Sequence, residues 1–174
     1  MRIFLTCLIL SITLISCKNK KSSDKATETI KPITFDVVLN MNVKQDDSFQ
    51  LYYTDDTSPT FNDKKSVRVT VKGKNEDQKI VFSLPVDDLP TNLRLDLGEN
   101  KLQPEMKLNT FTINYADKSF SLNGLEILQY FVPGQIDVNK EQPLLKTNQG
   151  KSEVYDPMFY PQDNLKTEIL KIIK

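Results

Sequence analysis

Between Ile33 and Leu122 the apolar residues of this chain recur at every second position, and that period constrains its fold more than any other feature. Ile33, Phe35, Val37, Leu39 and Met41 alternate with Thr34, Asp36, Val38 and Asn40. The same rhythm returns in Phe49, Leu51 and Tyr53, in Val67, Val69 and Val71, in Ile80, Phe82 and Leu84, and in Leu93, Leu95 and Leu97. Successive side chains of a strand point to opposite faces, so each set predicts a strand with one buried face. Polar, turn-rich stretches at 42–48, 55–65 and 73–77 separate them. Met106 and Leu108 share one parity, whereas Phe111, Ile113 and Tyr115 share the other. A bulge near Asn109-Thr110 keeps both sets facing inward. Phe120, Leu122 and Ile127 continue the sheet, and no long helical period interrupts the pattern. Short strands joined by polar turns predict an all-β chain, built as a single antiparallel β-sandwich or related barrel.

After Phe131 the alternation fades. Four prolines between residues 133 and 164 predict an irregular segment from about residue 133, with one returning strand near Glu153 to Phe159. Leu165, Ile169, Ile172 and Ile173 then recur at helical spacing, with lysines between them. This predicts a short C-terminal helix capped by Asp163 or Asn164, with a last strand as the alternative.

At the other end, Arg2 is followed by an apolar run from Ile3 to Ile15, too short to span a bilayer at about 20 residues. The run closes in Leu14-Ile15-Ser16-Cys17. This resembles the lipobox of bacterial lipoproteins. The resemblance implies cleavage before Cys17, lipidation of the Cys17 thiol and acylation of its new amine, so residues 1–16 are expected to be a signal peptide. Several acyl chains, at about 0.8 kcal/mol per buried methylene, hold a protein durably on a membrane. Lys18 stands where that family's inner-membrane retention signal places Asp, so the resemblance implies the outer membrane. Residues 17–31 are polar and read as a flexible tether. Residues 32–174 then form the sandwich domain.

Composition narrows the chemistry. The chain has 23 basic and 23 acidic residues and no histidine or tryptophan. Balanced charge offers no field to recruit nucleic acid. Without histidine, Ser-His-Asp and Cys-His catalysis lack their base. By the lipobox resemblance Cys7 falls in the removed segment and Cys17 would carry lipid, so zinc sites made from His or Cys would lack ligands. Five glycines form no phosphate-binding loop. Carboxylate chemistry, oxygen-ligated metals and plain binding remain, and the expectation is a protein that is not an enzyme.

The blocks Phe49-Gln50-Leu51-Tyr52-Tyr53, Ile80 to Pro85, Leu93-Arg94-Leu95-Asp96-Leu97-Gly98 and Met106 to Ile113 resemble a jelly-roll module of the galactose-binding or carbohydrate-binding type. The resemblance covers about half of the mature chain and implies a glycan partner. It departs from the pattern in having no Trp, the commonest sugar platform of such modules.

Among candidate site residues, Arg94 and Asp96 face one side of a strand. They suit either an ion pair within the sheet or recognition of a polar ligand, through the guanidinium fork and a carboxylate acceptor. Tyr52, Phe61, Tyr130, Phe131, Tyr155, Phe159 and Tyr160 lie outside the cleanest inward sets, and an exposed ring can stack on a sugar face or anchor a protein. The Asp156-to-Pro161 run stands out because its aromatics sit among prolines in an expected loop. Asp55, Asp56, Asn62 and Asp63 offer hard oxygens for Ca2+ in one loop, although their spacing matches no fixed calcium loop. Asp46-Asp47 and Asp87-Asp88 complete the acidic clusters, and adjacent acids in turns ordinarily bond their own backbone. The expected function is a lipid-anchored envelope protein that binds glycan or another envelope component. An adaptor that contacts an envelope protein is the alternative, and a carboxylate-based polysaccharide hydrolase is the third reading.

Overall fold

The computed structural model describes residues 32–55, 60–150 and 152–174. Eleven strands and one helix form there, in two antiparallel sheets packed as a sandwich. The first sheet contains β1 (Asp36–Asn42), β4 (Gln78–Ser83), β6 (Met106–Tyr115), β7 (Lys118–Asn123), β9 (Ile136–Val138) and β10 (Leu144–Thr147). Its order is β4-β1-β6-β10-β9, with β7 also paired to β6. The second contains β2 (Asp47–Thr54), β3 (Ser66–Val71), β5 (Asn92–Asp96), β8 (Phe131–Gly134) and β11 (Met158–Pro161), ordered β3-β2-β5-β11-β8.

The period-two residues meet between the sheets. Val37, Leu39, Met41, Ile80, Phe82, Phe111 and Ile113 come from the first sheet, and Phe49, Leu51, Tyr53, Leu93 and Leu95 from the second; all are buried. The expected bulge is present: Asn40 faces Thr110 while Met41 faces Leu108, which leaves Asn109 as the extra residue. It reconciles the two parities of β6 and also divides its pairing. Thr110 to Tyr115 pair with β7, whereas Met106 and Lys107 pair with β10. Ile33 departs from the expected inward set: it precedes β1 and is 57% exposed. Ile127 is buried but belongs to a 3-10 turn at Gly124–Gln129 rather than to the sheet.

The irregular segment expected after residue 133 is corrected by four short strands, β8 to β11. Prolines concealed two of them. Pro133 lies in β8, an edge strand, where a missing N–H disrupts no ladder, and Pro161 is the last residue of β11. The returning strand falls at Met158–Pro161, slightly beyond the expected position. The C-terminal element is a helix, α1 (Asp163–Ile173), which buries Leu165, Ile169 and Ile172. It packs against β5 of one sheet and β6 and β7 of the other, and so joins the two layers. Its N-cap is Gln162 rather than Asp163 or Asn164. The Asn164 side chain instead donates to the Gln129 carbonyl at 2.6 Å. The expected signal peptide, Cys17 and tether lie outside the described residues, as does Asp56.

Candidate functional site

The outer face of the second sheet gathers rings and charged groups that strand parity places side by side. Gln50 and Tyr52 leave β2 on the side opposite Phe49, Leu51 and Tyr53. Across the ladder Tyr52 faces Arg94, and Gln50 faces Asp96 on β5 and Arg68 on β3. Met158 of β11 faces Asp96. Tyr160, two residues on, takes the same side and is 43% exposed, while Phe159 between them turns fully inward.

Arg94 is the hub. Its Nε and Nη2 donate to the two carboxylate oxygens of Asp96 at 2.8 and 2.6 Å, a bidentate pair within one strand. The guanidinium lies 4.2 Å from the centre of the Tyr52 ring and 5.8 Å from that of Phe61, both within cation–π range. Phe61 meets Tyr160 edge to face at 5.8 Å. The Tyr52 hydroxyl donates to Asp63 Oδ1 at 2.9 Å. Beside this group, Gln50 donates to Ser66 Oγ at 2.8 Å and accepts from Arg68, which also pairs with Glu99. These side chains are therefore held in place by one another.

The electrostatics follow from partial burial. Burial works against the charge of Arg94, but its bonds to Asp96 and the fields of Asp96 and Asp156 outweigh it and hold the guanidinium above its ordinary value. Burial pushes the Asp96 carboxyl up, and the bond from Arg94 recovers only part of that shift. Burial, reinforced by the bond to Asp63, pushes the Tyr52 phenol up to about 12.

A hollow of about 190 Å3 opens on this face, lined by Gln50, Tyr52, Arg68, Asp96, Tyr155 and Asp156 among others. The Asp156 carboxylate accepts no hydrogen bond from the described residues and is available to a ligand hydroxyl. Tyr155 is fixed at the rim, its hydroxyl 2.8 Å from Thr147 Oγ1. A larger hollow, about 430 Å3, lies on the outer face of the first sheet among Asn40, Lys79, Val81, Thr110, Thr112 and Asn114. It has no ring and no guanidinium, so it offers less to hold a ligand despite its size.

Tyr52, Arg94, Asp96 and Tyr160 thus share one face, with Tyr155 at its rim. Three other candidates are corrected. Phe159 is fully buried and packs 6.2 Å from the Phe131 ring, which in turn meets Phe111 at 5.4 Å. Both Phe131 and Phe159 are core residues because β8 and β11 turn them inward. Tyr130 packs edge-on against Phe120 at 5.2 Å beside the core and joins no ring on this face.

The described ligands of the expected calcium loop have protein partners: Asp55 binds Lys65 at 2.6 Å, Asp63 accepts from Tyr52, and Asn62 Oδ1 accepts from the Lys64 N–H. Among the described residues no three or more His, Cys, Asp or Glu are grouped to hold a metal. The other acidic clusters hold distant parts of the chain together rather than only their own turns. Asp46 binds Lys72 and the Gly73 N–H, and Asp88 accepts from the Tyr53 hydroxyl.

Gln50, Arg68, Glu99 and Asp156 escaped the sequence reading. Gln50 and Arg68 were within reach of parity, being at outward positions of their strands. Glu99 and Asp156 lie in loops, where no period assigns a direction. Comparison with protein-family models, with curated proteins and with solved structures found no match for this chain.

Proposed function

We propose that this chain is a lipid-anchored, non-catalytic protein of the bacterial cell envelope that binds glycan on the outer face of its second sheet. The observation that carries the reading is the assembly of Tyr52, Arg94, Asp96 and Tyr160 on one surface. Aromatic faces suit the C–H faces of a sugar ring, and a carboxylate such as Asp156 suits its hydroxyls. The group is braced before any ligand arrives, which reduces the ordering cost of binding. Asp96 is already committed to Arg94, so the pair serves to position rather than to transfer protons. The Leu14-Ile15-Ser16-Cys17 motif supports the anchor and the envelope address. Retention of the full chain on envelope polysaccharides, with loss of retention in Tyr52→Ala, is the result expected. A clean null across those polysaccharides would sink the reading.

One observation favours an adaptor role instead. Val132 is 54% exposed on edge strand β8, directly opposite Tyr160, and makes a small apolar patch. Crosslinking in intact cells would then recover one dominant protein partner through that edge.

A further inference from the structure

We infer that the site on the second sheet is an extended one with two adjoining subsites, and that it takes a linear oligosaccharide rather than a single sugar. The inference rests on the glycan reading and specifies the size and arrangement of the ligand.

The polar hollow at Gln50, Asp96 and Asp156 has a neighbour. A second hollow, about 200 Å3, is lined by Phe61, Tyr160 and Pro161, with Asn92, Asp163 and Lys166 around it. Each alone falls below the roughly 300 Å3 at which small-molecule sites begin, and only the two together reach it. They adjoin through direct contacts. Tyr52 lines the first hollow, Phe61 and Tyr160 line the second, and the Arg94 guanidinium lies against both Tyr52 and Phe61.

The chemistry of the two hollows differs in the way a linear saccharide requires. The first presents amide, carboxylate and guanidinium groups, matched to ring hydroxyls. The second presents the edge-to-face pair Phe61–Tyr160, matched to the apolar face of a pyranose. Arg94 is fixed against Tyr52 and Phe61 by its bidentate bond to Asp96, so the rings of the two hollows keep a set spacing. One sugar ring satisfies one hollow and leaves the other to water. Successive rings of one chain occupy both.

The test is isothermal titration calorimetry of the full chain in detergent. The probes are mono- to tetrasaccharides of β-1,4-linked N-acetylglucosamine, β-1,4-linked glucose and α-1,6-linked mannose. In at least one series the affinity should rise tenfold or more from the monosaccharide to the trisaccharide. Tyr160→Ala should abolish that rise, with circular dichroism and the unfolding midpoint confirming that the exposed ring was removed without loss of the fold. Equal affinity for every length would overturn the two-subsite inference and leave the glycan reading standing. A rise that persists unchanged in Tyr160→Ala would also overturn it. Binding to none of the series would overturn the glycan reading and this inference with it.

Discussion

Asp47 holds the fold together at a point where no apolar contact could. It is 8% exposed, and its carboxylate accepts from the backbone N–H groups of Ser48, Glu99 and Asn100 and from Gln103 Nε2. It thereby ties the start of β2 to the loop after β5. Removing it strands buried donors, each costing about 1–3 kcal/mol. Asp47→Ala should lower the stability by about 2–4 kcal/mol in denaturant unfolding, on the same principle of unsatisfied donors. Gly98 sits against the same carboxylate at φ +97°, where an added Cβ would press on Asp47. Gly98→Ala should cost about 1–3 kcal/mol for the same cluster. In the sequence Asp46-Asp47 reads as a turn pair that bonds its own backbone. Only the long-range return of residues 99–103 makes one member buried and the other exposed.

Tyr52 gives a second prediction at this scale. Its phenol is held up at about 12. Because the folded value is raised, the stabilisation from the neutral hydroxyl is fully present below the unfolded value near 10, and it is lost as pH rises through about 12. NMR titration of ring resonances should show the Tyr52 signal moving only as pH approaches about 12. A Tyr52 signal that titrates with free tyrosine would contradict both the burial of its phenol and its bond to Asp63.

Among the elements, β11 shows best what the sequence could and could not reveal. Its four residues alternate like any other strand: Phe159 inward, Met158 and Tyr160 outward. The run is too short to establish a period, and its flanking prolines read as loop. Phe159 therefore looked like a ligand-facing ring when it is core, while Tyr160 beside it does face outward. The strands of β1 to β6 were legible because three or more apolar residues in each repeat a parity, and the bulge in β6 was legible because two runs of opposite parity conflict. The two aromatics of β11 should respond differently to truncation. Phe159→Ala should cost about 3–5 kcal/mol through a buried cavity. Tyr160→Ala should change stability by no more than about 0.5 kcal/mol. Denaturant midpoints of the two variants decide this, and comparable losses would contradict the assigned directions. For α1, Ile169→Asp should also unfold the packing, since that side chain is fully buried between the helix and the sheets.

For the whole molecule, the proposed function joins an anchor expected from the N-terminal motif to a proposed binding face on the second sheet. The anchor gives its own prediction: Cys17→Ser should move the protein from the membrane fraction to the soluble fraction and abolish palmitate labelling. The candidate face was half legible. Parity on β2 and β5 put Tyr52, Arg94 and Asp96 on outward positions. Their convergence depends on which strands are neighbours, and that order is set by long connections that no local pattern encodes. The measurement closest to the central claim is NMR chemical-shift mapping of the protein with an envelope oligosaccharide that it retains. The account predicts perturbations concentrated at Gln50, Tyr52, Arg94, Asp96 and Tyr160. Perturbations centred on Asn40, Thr112 and Asn114 of the opposite sheet would contradict it.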